Sequence, residues 1–275
     1  MLANFSCRAS APLAPIQRYS GDNSLQDDIS TKNTPILSRI WHGHTIPLLF
    51  KGGKTEALLT RLRRHRRLTA SESAREVRVQ DLFENAEASR CFDLAGDLWL
   101  EVGTGKDSHI LERSLRHPET LHLGIEQTRK KFEMMLRKAE MLNCSNNLKL
   151  LHADAIPAVS ECFPDESLAG VFLLFPDPWP KERHAHRRLL QSSFLSLIAR
   201  KLRPDALLEI RTDEPEYARQ AHEALLEIKA LQNLTGGKPW LDSPIDPENH
   251  VETLFEQRFR NEGKAIHYFY LKKTN

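Results

Sequence analysis

Cysteine is scarce and scattered: Cys7, Cys91, Cys144 and Cys162 are the only four in 275 residues. None sits in a CxxC pair or beside a histidine at ligand spacing, which excludes a disulfide-stapled scaffold and a zinc knuckle. They read as reduced thiols of a cytosolic protein, and no metal is expected. No apolar run approaches the length of a bilayer crossing, so a membrane-spanning role is excluded too. Internal repeats are absent. Net charge is also small, +2, too little to argue for a nucleic-acid partner.

The distribution of charge says more than its sum. Arg61, Arg63, Arg64, Arg66 and Arg67 crowd around His65, and a second cluster holds Lys181, Arg183, His184, His186, Arg187 and Arg188. Guanidinium groups bind phosphate in a bidentate fork, so such clusters suit a phosphate-bearing ligand. A solvated helical face explains the first cluster equally well.

Residues 1–35 are rich in Ser, Asn, Asp and Pro with little periodicity, and disorder is expected there. The first twenty residues hold Arg8 and Arg18 with no acidic residue, as transit peptides do, yet show no clear amphipathic helix. Disorder or an upstream start codon is the expectation, with cytoplasmic residence. The more apolar piece from Ile40 to Phe50 is broken by Lys51-Gly52-Gly53-Lys54 and has no legible role. From Leu98 onward apolar runs alternate with amphipathic stretches, the mark of βαβ units and a parallel sheet. Strands are expected at Leu98–Val102, Leu121–Ile125, Leu148–Leu151, Gly170–Leu174 and Leu207–Ile210, with a late antiparallel one over Ala265–Leu271. Helices are expected over Thr128–Leu142 and Arg188–Leu202, the latter ended by Pro204 and Asp205.

Ligands of open α/β sheets bind at the carboxyl ends of strands, and the candidate residues fall there. Glu101-Val102-Gly103-Thr104-Gly105-Lys106-Asp107 follows the first strand, its glycines letting a ligand approach the backbone. A nicotinamide site fits less well: Asp107 stands where a third glycine would pack beneath a pyrophosphate, and Glu101 would repel one. Glu101 could instead receive an ammonium. Glu126 ends the second strand, about 20 residues past the glycine turn, where ribose hydroxyls are held. Asp154-Ala155 ends the third, suited to accept from an adenine amino group. Three acidic strand ends suit an adenosine without phosphate, which points to S-adenosyl-L-methionine. After the fourth strand comes Phe175-Pro176-Asp177-Pro178-Trp179-Pro180-Lys181. Its prolines lack N–H groups and cannot continue a ladder, so a stiff loop presents Asp177, Trp179 and Lys181.

With these motifs in order, the chain from about Leu98 to Lys272 resembles the bacterial tRNA (guanine-N7)-methyltransferases, a family of class I S-adenosylmethionine enzymes. The Phe-Pro-Asp-Pro-Trp-x-Lys element is specific to it; the glycine turn is generic to the superfamily. Arg187-Arg188, Thr212-Asp213 with Tyr217, and Thr253-Leu254-Phe255-Glu256 complete the pattern. The resemblance implies a Rossmann-like domain over 97–275, with a mainly parallel seven-stranded sheet, helices on both faces and an antiparallel last strand. Residues 56–96 would be a basic segment leading into it, and 1–55 an extension that is disordered or unrelated to the family. It implies cofactor contacts from Glu101, Gly103, Gly105, Glu126, Asp154, Ala155 and Asp177, with Asp177 at the reacting centre. Guanosine would be held by Lys181, Asp213, Thr253, Leu254, Phe255 and Glu256. Arg66, Arg67, Arg187 and Arg188 would touch tRNA, and no obligatory protein partner is implied. Asp107 departs from the family's usual glycine.

The implied reaction is methyl transfer to N7 of a variable-loop guanosine (position 46) in tRNA. N7 carries an in-plane lone pair, so alignment and electrostatics suffice without a base. Rival readings are a class I methyltransferase of another substrate, a non-catalytic RNA-binding subunit on the same fold, and, weakest, a nucleotide-dependent oxidoreductase.

Overall fold

The computed structural model describes residues 39–41, 44–46, 75–77, 96–144 and 146–275. The stretch 1–35, expected to be disordered, and the arginine cluster with Arg66 and Arg67 lie outside these residues. Two units divide the chain, Met1–Leu48 and Leu49–Asn275. Of the first, the described part is an antiparallel pair, β1 (Arg39–Trp41) and β2 (His44–Ile46), with Ile40 opposite Thr45.

The second unit is built on one sheet. Its strands are β3 (Glu76–Val77), β4 (Leu98–Val102), β5 (Leu121–Glu126), β6 (Leu148–His152), β7 (Leu168–Leu174), β8 (Leu202–Thr212), β9 (Leu231–Asn233) and β10 (His267–Lys273). Their order across the sheet is β3-β6-β5-β4-β7-β8-β10-β9. From β3 to β8 all neighbours are parallel; β10 runs antiparallel to both β8 and β9. Strands β4 to β10 form the expected seven-stranded, Rossmann-like sheet, and the two-residue β3 extends one edge. The chain winds outward from β4 through β5 to β6, then returns to place β7 on the other side of β4. That reversal is the switch point at which such sheets open a crevice.

Among the described residues six α-helices connect the strands: α1 (His109–Arg116), α2 (Arg129–Met141), α3 (Ala155–Cys162), α4 (Ser192–Lys201), α5 (Pro215–Leu226) and α6 (Leu254–Asn261). Apolar residues recurring every three or four positions give each of the long ones a buried stripe. Phe132, Met135, Leu136 and Ala139 of α2 pack with Ile110 and Leu111 of α1 over Leu148 and Leu150. A larger cluster joins α3, α4 and α5 to the sheet through Val159, Phe194, Ile198, Ala221 and Leu225. Among the described residues no helix is long and apolar enough to cross a membrane.

Most boundaries shift by one or two residues, and two shift further. α4 begins at Ser192 rather than Arg188. The backbone N–H groups of Leu189 and Leu190 instead donate to the Tyr217 hydroxyl, both at 2.9 Å, which holds this stretch out of the helix. Strand β8 begins at Leu202, directly after that helix, and carries Pro204-Asp205 within a bulge. Leu168 pairs with Leu202, but Gly170 pairs with Leu207, and Asp205 takes φ +64°. A bulge is one of the few places in a sheet that tolerates proline.

Candidate active site

The carboxyl ends of β4 to β8 share one edge, and each carries polar residues into the crevice. After β4 the chain turns through Gly103 and Gly105 at φ +78° and +63°, a region that L side chains rarely enter. Nothing lies within 4 Å of where a Cβ on Gly103 would stand, so a ligand has access to the backbone there. Gly124 of β5 lets the turn seat closely: a Cβ there would meet Thr104 Cγ2 at 2.6 Å. Gly103 and Thr104 donate their N–H groups to the Ile125 carbonyl at 2.8 and 3.1 Å. The Glu126 carboxylate accepts from the Gly105 N–H at 2.8 Å and from the Thr128 N–H at 2.6 Å. Turn and carboxylate are thus one rigid unit.

Glu101 is 2% exposed, its carboxyl oxygen 2.7 Å from Nδ1 of the equally buried His109. Burial pushes the Glu101 carboxyl up to about 8. It also pushes the His109 imidazole down to about 3, helped by the charges of Arg211 and Arg113. Asp154 lies at the end of β6 and caps α3, accepting from the Ile156 N–H at 3.1 Å and from the Gln127 amide at 3.1 Å. Ala155, beside it, is half-buried. Carboxylates on three successive strand ends, over an open glycine turn, fit an ammonium and ribose hydroxyls and are poorly suited to phosphate. By that donor chemistry the residues present fit S-adenosylmethionine.

After β7 the proline loop leaves Asp177 exposed. Phe175 and Trp179 on either side of it adopt φ +48° and +42°, strained for non-glycine residues. The surroundings fix that strain. The Phe175 N–H donates to the Arg211 carbonyl at 2.8 Å. Arg188 donates from Nε to the Pro178 carbonyl at 3.0 Å, from Nη2 to the Trp179 carbonyl at 3.2 Å and from Nη1 to Gln220 at 2.8 Å. Arg188, expected to touch tRNA, is half-buried and makes a hydrogen bond from each of its three nitrogens within the protein, so it also braces the loop. Arg187 stays exposed with its guanidinium 5.0 Å from the centre of the Trp179 ring, and Lys181 and Arg183 are exposed beside it. Tyr217 completes the brace by accepting from Leu189 and Leu190, and burial pushes its phenol up to about 12. Tyr217→Phe leaves two N–H groups without an acceptor. It should lower stability by about 1–3 kcal/mol for each group that stays dry, read as a fall in Tm.

The last part is α6, tied to both halves of the crevice. Its first N–H, on Leu254, donates to Asp107 of the glycine turn at 2.8 Å. Thr253 caps it from within, accepting from the Glu256 N–H at 3.0 Å. On its far side Phe255 and Phe259 lie 6.3 and 5.7 Å from Phe175, ring centre to ring centre. Leu254 and Phe255 are exposed. Asp213, at the end of β8, pairs with Lys264 at 2.7 Å.

Glu256, expected at the guanine edge, is 0% exposed. One oxygen accepts from Arg211 Nη1 at 2.9 Å. The other lies 2.9 Å from His250 Nε2 and accepts from Arg260 at 3.1 Å and from the Tyr268 hydroxyl. Arg211 is itself 2% exposed and donates from Nε to Glu209 at 2.7 Å. Burial pushes the Glu256 carboxyl up, but the hydrogen bonds from His250 and Tyr268 and the Arg211 charge prevail and hold it down at about 2. This buried carboxylate ties α6 to β8 and β10 through Arg211 and Tyr268. A sequence signal for its partner existed: Glu209 and Arg211 sit two apart on β8, on the face opposite Leu208 and Ile210. His109 and Phe259 were also missed; Phe259 follows Phe255 by one helical turn.

Residues 96–269 match the model of the family described as "Putative methyltransferase". The tRNA (guanine-N(7)-)-methyltransferase of Alkalilimnicola ehrlichii is 34% identical over 187 residues, 68% of this chain and 77% of that one. That of Treponema pallidum (strain Nichols) is 36% identical over 178 residues, 64% of this chain and 67% of that one. Among solved structures, 16S rRNA methyltransferase KamB aligns with a TM-score of 0.48 at 16% identity, over 78% of this chain and 97% of that one.

Proposed function

Since the chain belongs to the tRNA (guanine-N(7)-)-methyltransferase family, we propose that it methylates N7 of the variable-loop guanosine of tRNA from S-adenosyl-L-methionine. The observation that carries this reading is the braced loop after β7, which sets an exposed carboxylate, Asp177, at the switch point beside the glycine turn. The cofactor, when bound, supplies an electrophilic methyl on a sulfonium.

The protein's own residues do the rest. Glu101 would take the cofactor's ammonium, regaining its charge as that cation offsets the burial that keeps it protonated. Glu126, already oriented by two N–H groups, would accept from the ribose hydroxyls, and Asp154 from the adenine amino group. Asp177 would stabilise the purine as positive charge passes onto it. With Glu256 buried, Asp213 is the acidic group left to accept from the guanine N1–H and N2 edge, which adenine does not offer. Phe255 and Leu254 give the base an exposed apolar surface, the kind of platform on which splayed RNA bases stack. Lys181, Arg183 and Arg187 would contact phosphate.

The test is to incubate the purified protein with labelled cofactor and bulk tRNA, then identify the modified nucleoside. 7-Methylguanosine is expected; any other labelled nucleoside, or none, would overturn the reading. Binding should also weaken with salt. Three phosphate contacts predict a slope of log K against log salt of about −2 to −3. The triple variant Lys181→Ala, Arg183→Ala, Arg187→Ala should reduce the magnitude of the slope by about 2 to 3, and a variant with the unaltered protein's slope would remove the cluster from the interface.

A further inference from the structure

We propose that Asp107 is a positioning residue that couples the cofactor turn to the guanosine-receiving segment, so that filling one site changes the affinity of the other. The inference rests on the functional reading above and extends it to a residue outside both ligand sets. Asp107 is 6% exposed and spends its two oxygens on two backbone groups. Oδ1 accepts from the neighbouring Ser108 N–H at 2.7 Å, and Oδ2 from the Leu254 N–H at 2.8 Å, 147 residues away.

The second bond joins two segments that are each fixed elsewhere. Upstream, Gly105 is two residues from Asp107 and is clamped by Glu126. Downstream, Leu254 opens α6, where an N–H has no partner within the helix. Thr253 caps one such group and Asp107 another, so the entry of α6 is set partly by the glycine turn. A ligand seated on Gly103 and Gly105 therefore bears on the same short rod that aims Leu254 and Phe255. Glycine at this position would offer neither acceptor, and the two segments could then move independently. Burial pushes the Asp107 carboxyl up, while the two N–H groups oppose that shift.

The experiment compares the Kd of unmodified tRNA with and without saturating S-adenosylhomocysteine, in the unaltered protein and in Asp107→Ala and Asp107→Asn. The unaltered protein should change its tRNA affinity about fivefold or more on adding the nucleoside, and by linkage tRNA should change nucleoside affinity by the same factor. In Asp107→Ala the ratio should fall to about one. Asp107→Asn keeps one acceptor and should lie between, which also carries the test should the alanine variant not fold. A folded variant of either kind with the full ratio overturns the coupling. So does an unaltered protein that methylates tRNA with a ratio near one. An unaltered protein that neither methylates nor binds tRNA overturns the functional reading, and the coupling with it.

Discussion

Replacing Asp177 with alanine should lower kcat by about 100- to 1,000-fold while S-adenosylmethionine affinity changes by less than about threefold, the range found when one preorganised charge-stabilising group is lost. The disparity follows from where the residue stands. Asp177 is exposed at the tip of a loop whose shape is fixed by Phe175, Arg188 and Tyr217, none of which needs the carboxylate. Its removal leaves the backbone in place and deletes the negative charge proposed to stabilise the purine as it becomes cationic. Glu101, Glu126 and Asp154 remain to hold the cofactor. Asp177→Asn should lose nearly as much, since the amide keeps the shape and not the charge. Single-turnover rates with equilibrium titration of the cofactor separate the two effects, and an unchanged single-turnover rate would remove Asp177 from the chemistry.

Glu256→Gln should act on stability first. Breaking one side of a buried ion pair costs about 3–5 kcal/mol, because the abandoned charge stays desolvated. Here the abandoned group is Arg211, with Glu209 alone to balance it. The folded carboxyl titrates at about 2, below its ordinary value of 4.5. Its contribution is therefore complete above about 4.5 and disappears as pH falls toward 2. Thermal unfolding of the unaltered protein should show Tm dropping across that window, and the glutamine variant should start lower and drop less. A variant with unchanged Tm but impaired tRNA methylation would return Glu256 to the guanine edge.

The strands that carry the site were readable because each is a short apolar run bounded by glycine, proline or acid, and the register of β4, β5 and β7 follows the runs closely. What escaped reading has a common physical origin in contacts between distant segments. Nothing near Arg188 announces that Tyr217, far along the chain, will take two N–H groups from the helix expected there. The three-residue β9 has no run long enough to show a period. Arg211, Glu256 and Glu101 are interior, and partners brought from distant segments, such as Glu256 for Arg211, are not visible in the local sequence. The resemblance implied Glu256 at the ligand by position alone; its interior bonds to Arg211, His250 and Arg260 had no signal in the sequence. Asp107 was legible only as a missing glycine, and what replaced the glycine's freedom is a bond to α6.

The two left-handed residues flanking Asp177 bear on how the proposed site would meet its polymer. A tip held by three prolines, an arginine fork and a phenol has given up its own disorder during folding, so no entropy of ordering is charged there when RNA arrives. If the purine docks at that tip as proposed, the deformation needed to bring its tucked-in edge there would fall on the nucleic acid, which would bend to a mould that does not.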